Sequence, residues 1–210
     1  MRRLGARGIR VTVGLALGLV AYHRFARPRH LTWGATSVEG RGTLPGDEIV
    51  AKPAVVSTRA VTVHAPPSDI WPWLVQMGEG RGGLYSYDTL DRFFGYLHAP
   101  SAERVLPEFQ DLAVGDVIPL GRGPSWPVVA LERERALVLE PVAGSVSWCF
   151  ALQPVDAGTT RFVSRVRVDV GPRPLLWVLA PLVDLPWLLM ERQMLRGIRR
   201  RAEALAVSRA

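Results

Sequence analysis

The sequence predicts an α+β domain with antiparallel strands in its middle and a long amphipathic helix at its C-terminal end. Three observations lead there. Short runs rich in Val, Thr and Trp recur between residues 57 and 170, separated by turn signals rather than by helical periods. The last of them alternates: Phe162, Ser164, Val166, Val168 and Val170 share one face, and Arg161, Val163, Arg165, Arg167 and Asp169 the other. Residues 185–207 then carry apolar side chains at helical spacing.

The first thirty residues stand apart. They hold Arg2, Arg3, Arg7, Arg10, Arg24, Arg27 and Arg29 and no acid, while the remaining 19 basic residues match the 19 acidic ones. The body is therefore formally neutral, and the net charge of +7 belongs to this arm. A basic arm around an apolar run points to a membrane surface, not to nucleic acid. Val11–Tyr22 is twelve uncharged residues, roughly 18 Å as a helix against a hydrocarbon core of ~30 Å. Flanking arginines that snorkel still allow a span. The leading expectation is a single N-terminal anchor or membrane-associated helix around Val11–Tyr22, its side of the membrane undetermined. A cleaved signal lacks a small-x-small site, and a solvated surface helix is the third reading. Pro and Gly punctuate residues 31–56, which read as a linker, so the predicted organisation is a basic arm (1–30), a linker (31–56) and a domain (57–207).

Within the domain, Ser57–His64 reads as a strand ended by Pro66-Pro67. Ser68 and Asp69 suit the start of a helix over Asp69–Met77, stopped by Gly78. A glycine-rich loop, Gly78–Gly83, lacks the Lys-Ser/Thr that would make it a phosphate loop. A second short helix spans Ser86–Phe94, and one helical turn Pro107–Asp111. Strands are expected at Asp116–Leu120, Trp126–Glu132, Ala136–Pro141, Val146–Pro154 and Arg161–Val170, the last with one face toward a core or cavity and the other toward water. Residues 174–190 are strongly apolar but contain Pro174, Pro181, Pro186 and Asp184. They read as an approach to the final helix that touches a bilayer, or alternatively as a second span.

The final helix, about Leu185–Val207, places Trp187, Met194, Leu195, Ile198, Ala202 and Leu205 within roughly 60° of Glu191 at 100° per residue. Arg192, Arg196, Arg199, Arg200 and Glu203 fall opposite. Glu191 thus sits mid-stripe and needs a partner, since burying a lone carboxylate costs several kcal/mol; Arg81 of the glycine-rich loop is the candidate. That pair is read either as a structural lock or as a polar anchor at the end of a ligand cavity. The Arg199–Arg201 run reads as a solvated helix end. Cys149, the lone cysteine, reads as an inert packed thiol. The four His are scattered, no Ser-His-Asp context is recognisable, and no metal or cofactor is expected. Oligomeric state has no sequence signal.

The order strand, two short helices, antiparallel strands, long helix is that of a helix-grip. The passages RAVTVHAPPSDIWPWLVQMG (Arg59–Gly78) and MERQMLRGIRRRAE (Met190–Glu203) resemble the SRPBCC superfamily, the START-like group that also holds the polyketide cyclase/dehydrase and lipid-transport families. GRGGLYSYD (Gly80–Asp88) and LPEFQDLAVGD (Leu106–Asp116) are similar to a bacterial branch of it. The likeness covers about residues 33–206. It implies a curved sheet wrapping the long helix, with an apolar cavity between. It often brings a seventh strand, which here lies in 47–56 or is lacking. Candidate ligand contacts are Tyr85, Trp126, Trp148, Phe150, Glu191 and Met194. The leading expectation is non-catalytic binding or carriage of an apolar small molecule or lipid at a membrane. The alternatives are a cyclase- or dehydratase-like enzyme, with Glu191, Arg81 and Tyr85 as its candidate catalytic groups, and a structural membrane-associated protein without a ligand.

Overall fold

The computed structural model describes residues 2–169, 171 and 174–209; for residues 2–10, 12, 174, 176 and 177 the description is of the backbone alone. Six antiparallel strands form one curved sheet: β1 (Val55–Val63), β2 (Val117–Ile118), β3 (Trp126–Glu132), β4 (Ala136–Val142), β5 (Val146–Asp156) and β6 (Thr159–Val168), in the order β1-β6-β5-β4-β3-β2. β6 lies between the first strand and the fifth, with Arg59 opposite Ser164 and Trp148 opposite Val166. The alternation expected of β6 is realised up to Val168; Val170 lies outside the described residues. Residues 47–52 form turns and bends, so among the described residues there is no seventh strand in that region.

Two short helices follow β1: α4 (Pro67–Val75) and α5 (Asp88–Phe93). Pro72 is the sixth residue of α4; it forgoes the helical bond its amide would give to the Ser68 carbonyl, and the helix still runs on to Val75. The last helix, α6, runs unbroken from Pro174 to Arg209, beginning eleven residues before the expected Leu185. Pro181 and Pro186 each remove one backbone donor without ending it. Its inner stripe of Met194, Leu195, Ile198 and Ala202 packs on Val61, Leu137, Phe150 and Phe162 of the sheet. Glycine is required at 197: a Cβ there would stand 2.1 Å from the carbonyl oxygen of Tyr85. Arg201 departs from the expected solvated end. It is buried, donates to the carbonyls of Ala102 and Gly197, and lies over the Tyr85 ring.

The sheet's other face is also covered, which corrects two expectations. Residues 31–56 are not a loose linker, and the arginine face of β6 does not meet water. Leu44 packs with Ala60, Val138, Cys149, Ala151 and Val163 in a second apolar cluster. Trp33 holds the edge of β1 through its carbonyl, which accepts from the Ala60 amide at 3.1 Å. A short helix, α3 (Ser37–Arg41), is closed by a capping box between Thr36 and Glu39. Glu39 takes Arg161 at 2.7 and 2.9 Å. Burial alone would raise the Glu39 carboxyl, but the bonds from Arg161 and Thr36 hold it below its ordinary value. Arg165, buried, reaches Asp47, Thr58 and the carbonyl of Gly42. The arginines that read as solvent-facing are the fastening of this strap.

The arm is helical: α1 (Arg2–Ala21), a wider π turn (Tyr22–Ala26) and α2 (Arg27–Leu31). Pro28 offers no amide to the carbonyl four residues back, which favours the wider turn before it. The arm meets α6 at Asp184, which accepts from Tyr22 Oη at 3.1 Å and Arg27 Nε at 2.7 Å. Among the described residues no helix is long and apolar enough to cross a membrane. Neither Val11–Tyr22, read above as an anchor or membrane-associated helix, nor the alternative span within 174–190 provides such a helix among the described residues. The first half of α1 carries four arginines, and α6 carries Asp184 and Arg192.

Candidate functional site

Between the inner face of the sheet and the first half of α6 lies a cavity of about 520 Å³. Trp126 and Trp148 of β3 and β5 form its floor, Trp187, Met190 and Met194 of α6 its roof, and Leu84, Ser86 and Asp91 one side. Alternation puts the two floor tryptophans inward, and helical spacing puts Trp187, Glu191 and Met194 on one stripe. The Trp126 and Trp148 rings meet at 4.9 Å, and Trp148 and Trp187 at 5.4 Å. The Trp148 indole N–H is satisfied by Ser164 Oγ at 2.8 Å, so its apolar ring is what faces the space. The rim is exposed and apolar: Leu182, Val183, Phe94 and Val142 all line the cavity and are at least half open to solvent.

Glu191 belongs to this wall and is 3% exposed. Its partner is not Arg81 but Arg59 of β1, itself buried, whose Nη1 bonds Oε2. Trp187 Nε1, one turn earlier on α6, donates to the same oxygen at 2.6 Å. Arg59 Nε is held by the His30 carbonyl at 3.0 Å. Oε1 of Glu191 accepts no hydrogen bond from any described residue. Arg81 instead turns back on the C-terminal end of α4, donating to the carbonyls of Val75 and Met77 and lying 4.6 Å over the Phe109 ring. The last turn of a helix leaves carbonyls that a nearby cation satisfies.

Trp126, Trp148, Glu191 and Met194 thus come together around one space; Tyr85 and Phe150 do not line it. Phe150 is fully buried behind Trp148, ring to ring at 4.9 Å. Tyr85 is sealed beneath Arg201, its hydroxyl accepting from Gln76 at 3.0 Å, and burial pushes that hydroxyl well above its ordinary range. A group sequence reasoning missed is Asp91 of α5. It lines the cavity, is buried, and takes the Ser86 hydroxyl. Burial lifts its carboxyl to about 6. A six-residue helix carries too little periodicity to show which face turns inward. Arg59 did leave a signal, since Arg59, Val61 and Val63 share one phase of a strand.

Two further clefts lie along the outer side of α6 near Arg200 and Arg201. Arg200 and Arg201 both bond Glu103 there, and the first cleft also carries Arg196 and Arg199. Cys149 is on the outer face of β5, and burial pushes its thiol up to about 12, so it is inert.

No family model matches the chain, and no curated protein matches it. Solved structures do. CalU16 from Micromonospora echinospora is similar at 19% identity, over 80% of this chain and 93% of that one, with a TM-score of 0.37. The Polyketide_cyc-like protein Cgl2372 from Corynebacterium glutamicum is similar at 14%, over 72% and 88%, with a TM-score of 0.34. DynU16, from the dynemicin biosynthetic locus, is similar at 16%, over 69% of this chain, with a TM-score of 0.39; the match spans 47% of DynU16, about half its length. The likeness is one of fold, and what the cavity can hold follows from its own residues.

Proposed function

We propose that this chain binds, and carries, an apolar small molecule or lipid in the cavity between its sheet and α6. The observation that carries the reading is a space of about 520 Å³ walled by Trp126, Trp148, Trp187 and Met194 with few polar groups. That size and lining suit one small organic ligand. The same reading sets the mouth at a membrane surface. Leu15, Leu17 and Val20 of α1 and Leu182 and Val183 of α6 are exposed, and the arm's seven arginines suit anionic headgroups. Native mass spectrometry of the purified full chain, with displacement of Nile red, is the test. A protein that arrives empty and binds neither Nile red nor any lipid overturns the reading. Sedimentation with phosphatidylglycerol but not phosphatidylcholine vesicles tests the membrane part.

A second reading, a cyclase- or dehydratase-like enzyme, is favoured by one observation: Asp91 is an acid in the cavity wall that changes charge near pH 6. The two readings separate on the ligand recovered from the wild type and from Asp91→Asn. A carrier returns the same compound from both; an enzyme that uses Asp91 returns different ones.

A further inference from the structure

We propose that the cavity selects a neutral apolar molecule bearing one hydrogen-bond donor, such as a hydroxyl, and that Glu191 receives this donor. The proposal rests on the ligand-binding reading above and narrows it to a chemical class. Glu191 is a carboxylate with its two oxygens in unlike states. Oε2 is occupied by Arg59 and by Trp187, while Oε1 has no partner among the described residues although the side chain is buried and lines the cavity. An unmatched acceptor on a buried charged group is costly, so a donor brought by a ligand gains more here than it would in water.

The rest of the wall decides the ligand's charge. Among the described residues that line the cavity there is no lysine, arginine or histidine, and its carboxyl groups are Glu191 and Asp91. Arg59 lies behind Glu191 and is already committed to it and to the His30 carbonyl. A ligand carboxylate would find acceptors and no cation. At Glu191 a ligand ammonium would give up its hydration beside a charge that Arg59 has already matched; Asp91, ionised at pH 8, is a separate carboxylate of the wall and is neutralised in the test below. An uncharged donor meets neither cost.

Nile red displacement from the full chain carrying Asp91→Asn, which leaves Glu191 as the carboxylate of the wall, tests this with four probes of one chain length: dodecanol, dodecyl methyl ether, dodecanoic acid and dodecylamine, at pH 8. Dodecanol is expected to displace the dye at about tenfold lower concentration than each of the others, the worth of one hydrogen bond to a charged acceptor. An ether or an acid as effective as the alcohol overturns the proposal, and so does an amine that outdoes it, while in each case the cavity reading stands. No binding of the dye or of any probe overturns the cavity reading itself, and the selectivity with it. The double variant Arg59→Met/Glu191→Met exchanges the pair for apolar groups of similar size, a change that often leaves folding intact. With its fold verified by circular dichroism, it is expected to bind alcohol and ether alike. A tenfold alcohol preference that survives in it overturns the role of Glu191.

Discussion

Arg59 on β1 and Glu191 on α6 form a buried ion pair across 132 residues of sequence. The pair joins the first strand to the last helix at the wall of the cavity. His30 and Trp187 complete it from the arm and from the preceding turn of α6.

Glu191→Gln removes the charge and leaves Arg59 buried without its counterion. The expected loss is about 3–5 kcal/mol, roughly 10 °C of melting temperature for a chain of this size. Glu203→Gln is the comparison. Among the described residues Glu203 accepts from the exposed His64 amide and stands 4.0 Å from Arg199, so about 1 kcal/mol or less is at stake. Equal, small shifts in both melts would show that the pair does not hold the helix.

Gly197→Ala tests the close approach of α6 to Tyr85. Alanine is the better helix former by about 1 kcal/mol, yet its Cβ would press on a backbone oxygen that cannot move aside. The expected outcome is a net loss of about 2 kcal/mol or more by urea unfolding. Gly40→Ala in α3, where nothing lies within 4 Å of the new atom, is expected to be neutral or stabilising. A neutral Gly197→Ala would mean that the helix stands further from the loop.

Asp91 makes stability depend on pH in a stated direction. Its carboxyl ionises near 3.8 in the unfolded chain and near 6 in the folded one. Between those values the native state holds a proton that the unfolded state has released, so raising the pH through this window weakens the fold. Asp91→Asn removes the effect. The stability of the wild type relative to this variant is expected to fall by on the order of 2 kcal/mol from pH 4 to pH 7 and to stay level above. A flat difference across the window would place the carboxyl in water.

Arg165→Met tests whether residues 31–56 belong to the folded body. The substitution leaves Asp47 and the Gly42 carbonyl without their buried donor, for an expected cost of about 3 kcal/mol. Arg135→Met, an exposed arginine 3.8 Å from Glu132, is expected to cost less than about 1 kcal/mol by the same urea assay. Equal costs would return this segment to the status of a connector.

How much of this was legible depends on the residue. The stripe through Glu191 was, because twenty residues of helix fix a phase. Trp126 and Trp148 were, because strand alternation is strict. The covered outer face was not: Arg161, Arg165 and Arg167 in an outward phase look the same whether water or a strap of chain satisfies them. The length of α6 was hidden by Pro181 and Pro186, which read as breakers although each removes only one bond from a helix of 36 residues. Arg81 was misassigned because a helix end attracts a cation as well as a carboxylate does, and α4 is nearer in sequence. Asp91 had no signal of its own.

Pro186 lies in the wall of the cavity and cannot donate to the carbonyl of Leu182, which lies in the same wall. Gly197, roughly 16 Å further along the axis, is wedged against Tyr85 and acts as a fulcrum. A load on the N-terminal end of α6, which Asp184 ties to Tyr22 and Arg27, is therefore expected to bend the rod at the gap in its ladder rather than rock the whole of it. The point of least stiffness falls at the entrance, and the clamped end stays still.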